Sequence, residues 1–118
     1  MATIHFENDG LSISVDSFPS KTVIRWSGVS DSRDPSTHLS PFLSSLIPRL
    51  KSREVVIDFR GFEYMNSATV SPLINFVKSL NAEGIPTSLL FDPTVSWQKI
   101  NAQCMRAIAR TLPHVQVP

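Results

Sequence analysis

Residues 54–70 read EVVIDFRGFEYMNSATV. Glu54–Phe59 is a short apolar run that follows the polar Lys51-Ser52-Arg53, and such a run predicts a central strand covered on both faces. Arg60-Gly61-Phe62-Glu63-Tyr64 reads as a short polar-aromatic loop. A helix is expected from Asn66, because Val70, Leu73, Ile74, Val77 and Leu80 fall on one helical face. Pro72 is expected in its first turn, where a missing N–H costs little. Asn81–Pro86 closes the helix, with Gly84 able to take positive φ. Strand, connection and helix in this order are the unit of an α/β sheet.

The flanking segments repeat the unit. Thr87–Phe91 is a second apolar strand. Asp92-Pro93-Thr94 is expected to start a third helix with Trp97, Ile100, Cys104, Ala107 and Ile108 along its apolar side. Val115 and Val117 suggest a short final strand. Upstream, Leu39, Phe42, Leu43, Leu46, Ile47 and Leu50 define a helix with a single apolar face. Pro41 fits only near its first turn, and Pro48 should kink or fray its end. Before it, Ser27–Pro35 is polar with turn chemistry. Leu11–Val15 alternates apolar and polar residues, the period of a half-buried strand. Phe18-Pro19-Ser20 turns the chain into Thr22–Trp26, which completes a hairpin. The expected fold is α/β: one domain over residues 1–118, a mixed sheet with an antiparallel edge and a parallel centre, and helices packed mainly on one face.

Composition narrows the function. The chain has 118 residues, 42% hydrophobic and 18% charged, which suits one core and argues against a charged disordered tail. Eleven Lys and Arg against ten Asp and Glu leave no excess of positive charge for a general nucleic-acid binder. A single cysteine, Cys104, excludes an internal disulfide and a multi-thiolate zinc site. The segment MATIHFENDG lacks the basic start and apolar run of a secretory signal. No apolar stretch reaches membrane-spanning length. A cytoplasmic protein is expected.

No catalytic set emerges. His5, His38 and His114 lie in unrelated places, and none has a ligand at metal-binding spacing. Cys104 is expected as a buried, inert thiol. Neither a GxSxG elbow nor a GxxxxGK[ST] loop is present, and the chain has too few glycines to build a nucleotide cradle. Asp58 ends a strand where α/β proteins often bind ligands, but it stands alone. The reading is therefore a protein with no catalytic residue, no metal and no cofactor. What remains is Tyr64-Met65-Asn66-Ser67-Ala68-Thr69-Val70. With Asn66 or Ser67 as the helix cap, unpaired N–H groups and the positive end of the helix dipole gather there. A phosphate on Ser67 would sit among those donors and bring about −1.5 to −2 charge to a nearly neutral surface.

In element order and in three local patterns, from about Leu11 to Leu112, the chain resembles STAS domains of the SpoIIAA type, the anti-sigma factor antagonists. In that family a central strand and loop lead into F-[ILM]-D-S-[ST]-G-L at a helix start, and Ser67 falls on its serine. The family's G-x-L-D loop has its counterpart in Gly28-Val29-Ser30-Asp31, which would place Asp31 beside Ser67. Thr87–Phe91 followed by Asp92-Pro93 fits the last strand–helix step. Two positions depart from the pattern: Asn66 stands for Asp and Thr69 for Gly. The motif around Asn66 is also similar to that of related small bacterial switch proteins.

The resemblance implies a bacterial regulator of transcription or signalling that works by partner switching. Ser67 would be the phosphorylated residue and Thr69 a secondary one. Gly28, Asp31, Met65, Asn66, Ser67 and Thr69 would form the partner-binding face. The implied partners are an anti-sigma-type serine kinase and a PP2C-type phosphatase, or a signalling enzyme such as a diguanylate cyclase. A homodimer is a further possibility. The competing reading is a constitutive scaffold in which Ser67 is only a cap, with Trp26, Phe42 and Trp97 as candidate contacts or as core.

Overall fold

Asp9 and Gly10 both adopt positive φ, 48° and 88°, the conformation of a two-residue type I′ turn. In the computed structural model, which describes residues 2–118, this turn joins β1 (Ala2–Asn8) to β2 (Leu11–Ser17) in unbroken antiparallel register from Ala2↔Ser17 to Asn8↔Leu11. The expected front hairpin is therefore a three-stranded meander, with β1 as an additional edge strand. β3 (Lys21–Ser30) is longer than expected and takes in Ser27–Ser30, read from sequence as loop. It pairs with β2 antiparallel and with β4 (Glu54–Asp58) parallel. The sheet then continues in parallel through β6 (Thr87–Leu90) to β7 (Val115–Gln116), giving the order β1-β2-β3-β4-β6-β7. β5 (Phe62–Met65), expected as loop, pairs in parallel with the far end of β3.

The mixed sheet has two unlike faces. Val15, Ile24, Ile57 and Leu89 lie side by side on adjacent strands and are all buried. Each such side chain contributes about 1.5–3 kcal/mol of burial. One residue along, the row His5, Ser14, Arg25, Asp58 faces the other way, and its members are exposed or half-buried. That face is polar, as expected of a sheet open to water on one side.

The helices cover the apolar face. α1 (Ser36–Leu50) buries Leu39, Leu43, Leu46 and Leu50, and α2 (Ser67–Ala82) buries Leu73, Phe76, Val77 and Leu80. Pro41 and Pro72 each occupy the sixth position of their helix, one turn deeper than expected. α1 also runs through Pro48 to Leu50. Each proline removes one intrahelical hydrogen bond, and packing of the leucine faces outweighs that loss. Gly84 takes φ 70° after α2, as expected.

α3 (Ser96–Ala109) begins four residues after Asp92, behind a turn, and buries Gln98, Ala102 and Met105. Cys104, expected as a buried thiol, is exposed. Ile100 is 65% exposed, and Ala107 is exposed as well. The buried stripe is rotated by about one residue, ~100°, from the apolar stripe in the sequence. Trp26, Phe59 and Phe62 form an aromatic core beside α3, with ring centroids 5.5 Å and 5.6 Å apart for Trp26 against the other two. Trp97 meets Phe62 edge-on at 5.6 Å. Trp26 is core, whereas Phe42 and Trp97 are half-buried against it.

Candidate functional site

The parallel strands end at the same edge of the sheet, and the segment singled out from sequence lies there. β5 reaches it because its Met65 pairs with Ser30 at the end of β3. The next residue, Asn66, is the N-cap of α2, with extended backbone at φ −81° and ψ 171°. Its backbone N–H donates to the Ser30 carbonyl at 2.9 Å.

The Asn66 side chain uses both of its ends. Oδ1 accepts from the Thr69 backbone N–H at 3.1 Å and from the Thr69 hydroxyl at 2.7 Å. Nδ2 donates to the Ser32 carbonyl at 2.7 Å. The Thr69 hydroxyl also meets the Ser30 hydroxyl at 2.7 Å; since Thr69 donates to Asn66, Ser30 donates to Thr69. This chain of bonds ties the segment after β3 to the first turn of α2. Thr69 and Ser30 are buried, and their polar atoms are satisfied within it.

The cap is thus Asn66, and Ser67 is the first helical residue, exposed to solvent. Asp31 is also exposed. The other sequence-derived candidates are built into the fold. Met65 is core, and Thr69 is fully buried. Gly28 is half-buried at φ 77°, and a β-carbon there would come within 2.1 Å of the Gly10 backbone oxygen. Ser67 and Asp31 are thus open to solvent and Asn66 partly so, whereas Met65 and Thr69 are closed off from it.

The network also accounts for Asn66. A carboxylate could cap the helix and would favour its dipole by about 0.3–1 kcal/mol. It could not donate to the Ser32 carbonyl, and two acceptors would face each other where a hydrogen bond now stands. Asn66→Asp should therefore lower stability by about 1–2 kcal/mol, read as a shifted urea midpoint with an unchanged slope. An Asp variant as stable as the parent would refute the role of the amide.

Sequence reasoning missed Gln98. It lies at the start of α3 and is fully buried. Nε2 donates to the carbonyls of Phe59 at 2.8 Å and Phe62 at 2.9 Å, and Oε1 accepts from the Asp92 N–H at 2.7 Å. Trp97 adds a bond from Nε1 to the Glu63 carbonyl at 2.8 Å. These contacts hold β5, and through it the cap of α2. At the end of β4, hydrogen bonds from the Arg60 guanidinium hold the Asp58 carboxyl below the usual carboxylate range, against its partial burial. Asp58 is thus committed to an ion pair with Arg60. Among the described residues no group of three or more His, Cys, Asp or Glu side chains could hold a metal ion. No described helix is long and apolar enough to cross a membrane.

This mixed α/β sheet, with antiparallel N-terminal edge strands, a parallel remainder and three helices, has the SpoIIAA-like fold. Solved structures share it, among them the following three. The anti-sigma factor antagonist SpoIIAA in its unphosphorylated form matches with a TM-score of 0.56 and 20% identity, over 75% of this chain and 79% of that one. An anti-sigma factor antagonist from Mycobacterium paratuberculosis matches with a TM-score of 0.65 and 17% identity, over 95% and 89%. A DUF3478-family protein with a SpoIIAA-like fold, from Shewanella loihica PV-4, matches with a TM-score of 0.58 and 10% identity, over 98% and 87%. At these identities the likeness establishes the fold. No protein-family model and no curated protein matches the sequence.

Proposed function

We propose that this protein is a regulatory binding module whose partner choice is set by phosphorylation of Ser67. The observation that carries the reading is the exposed Ser67 side chain at the first position of α2, directly after a cap that Asn66 supplies alone. A hydroxyl there is not needed for capping and is accessible to a kinase. A phosphate on it would meet the free N–H groups and positive dipole of the helix start. It would also place a double negative charge on the surface that carries the exposed Asp31 and Tyr64. A partner docked on that surface would be expelled by repulsion and desolvation. Thr69 is out of reach, since its hydroxyl is buried and bonded on both sides. In this scheme an anti-sigma-type kinase uses its own bound ATP, a PP2C-type phosphatase reverses the step, and the module contributes no catalytic group. The unmodified protein binds that kinase or a signalling enzyme such as a diguanylate cyclase.

The test is intact-mass measurement of the protein from its own cells, with fragment mapping. A species heavier by one phosphate, mapped to Ser67 and lost in Ser67→Ala, is expected. Because Ser67 is exposed, Ser67→Ala should change stability by no more than about 0.5 kcal/mol. A single unmodified species under every growth condition would favour the constitutive scaffold, whereas phosphate that persists in Ser67→Ala would overturn Ser67 as the switch residue.

A further inference from the structure

The two edges of the sheet differ in how they are protected. β7 is two residues long and lies between Pro113 and Pro118. Arg106 donates from its guanidinium to the carbonyls of Val117 and Pro118 beside it. β1 is seven residues long, in unbroken register with β2, and contains no proline, lysine or bulge. Among the described residues no strand pairs with its outer side. A regular, unprotected edge is a template for another strand, and soluble proteins ordinarily blunt such edges.

The turn fixes which groups face outward. The pair flanking a two-residue turn is hydrogen-bonded, so Asn8, Phe6 and Ile4 bond to β2. The peptide groups of Thr3, His5 and Glu7 therefore point to the free edge. The side chains of His5 and Glu7 are exposed, 2.9 Å apart, on the polar face. Phe6 is half-buried on the other face, stacked on Phe42 at 4.5 Å between centroids.

We infer that the β1 edge is a self-association surface, and that two copies of this chain join it antiparallel about a two-fold axis at Phe6. This register sets His5 opposite Glu7 of the second copy, twice by symmetry, as backbone hydrogen-bonded pairs in which the imidazole that meets Glu7 of its own strand can also meet the carboxylate across the interface. It sets Phe6 against its own copy in the closely spaced, non-hydrogen-bonded position. An axis at His5 would instead oppose two imidazoles, and an axis at Ile4 would leave Glu7 without a partner. The self-complementarity of His5 and Glu7 thus selects both the occupant and the register. The association is independent of Ser67, which lies at the strand ends.

Sedimentation velocity of the full chain over a wide concentration series tests this. The mass should double from 13.1 kDa with rising concentration. His5→Pro removes an outward N–H without touching the bonds to β2 and should abolish the dimer. Glu7→Lys removes the carboxylate acceptor from both pairs, puts a lysine on the edge, and should weaken it about tenfold. Amide exchange on the unmodified chain provides a readout that needs no variant: the His5 and Glu7 N–H groups should gain protection as concentration rises. A 13.1 kDa species throughout the series would overturn the inference. A dimer that persists in both variants would do so too, as would exchange at His5 and Glu7 that ignores concentration.

Discussion

Gln98→Met should cost about 3–4 kcal/mol of stability, a large share of the roughly 5–15 kcal/mol that holds a domain together. Met has nearly the same length and fills the same space, so the change isolates the hydrogen bonds from the packing. Three contacts within 2.9 Å disappear at once. The Phe59 carbonyl keeps a second donor, the Phe62 N–H at 2.9 Å. The Asp92 N–H and the Phe62 carbonyl lose the side-chain partner they have, and an unmade buried bond costs about 1–3 kcal/mol each. Thermal unfolding should shift down by roughly 10–20 °C for a chain of this size. The variant should also loosen β5, and amide exchange around Phe62–Met65 should quicken more than exchange in α1. A loss below about 1 kcal/mol would mean that water replaces the side chain without penalty, and that β5 is held by its pairing with β3 alone.

Gln98 also marks where the sequence stops being informative. Helix α3 was legible as a helix, but its buried stripe was not, because the residue that anchors it is polar. Periodicity assigns Ile100 and Cys104 to the core, and the structure exposes both. A glutamine satisfied by the backbone of another loop wins the central position, and no local pattern records that exchange. The Asn66 network is hidden for the same reason. Ser30 and Thr69 are 39 positions apart and meet only after β3 and β5 pair. The cap itself was legible, because capping is local.

The missed strands have different causes. β1 carried a signal that was there to read: Asn8-Asp9-Gly10 between alternating Ile4-His5-Phe6 and Leu11-Ser12-Ile13 is the chemistry of a two-residue hairpin. β5 carried none. It is four residues long, half exposed, and follows a strand and a turn, so it exists only because the end of β3 offers it an edge. The apolar centre of the sheet, β2, β3, β4 and β6, was legible because each of those runs is explained by burial alone. Of the residues that the resemblance implied for the site, Ser67 and Asp31 are exposed as a surface site needs, whereas Met65 and Thr69 are buried because their contacts are with distant parts of the chain.

Gly28 shows how a site residue and a fold residue can be told apart, and Gly28→Val should be the most damaging single change in the segment. The register between β3 and β5 shifts between Gly28 and Val29, where β5 carries an extra residue, Glu63, and Gly28 takes φ 77° opposite this bulge. The Val29 N–H bonds to the Gly10 carbonyl at 3.0 Å, which brings the hairpin turn against the bulge. A β-carbon at Gly28 would meet that same oxygen at 2.1 Å, and the obstacle is backbone rather than a side chain that can swing away. Valine adds the strain of a β-branched residue at positive φ to this clash. The expected loss is at least about 3 kcal/mol, enough to unfold a marginal domain. Gly28→Ala carries the same clash with less bulk and should lose less than valine while still unfolding at lower urea. Any loss of partner binding in these variants would then track the fraction folded. Asp31→Asn, on the exposed residue just past the strand, should leave the urea midpoint unchanged, so a binding defect there reads contact directly. If Gly28→Ala kept the parent's midpoint yet lost a partner, Gly28 would be a contact residue after all, and the bulge would be free to rearrange.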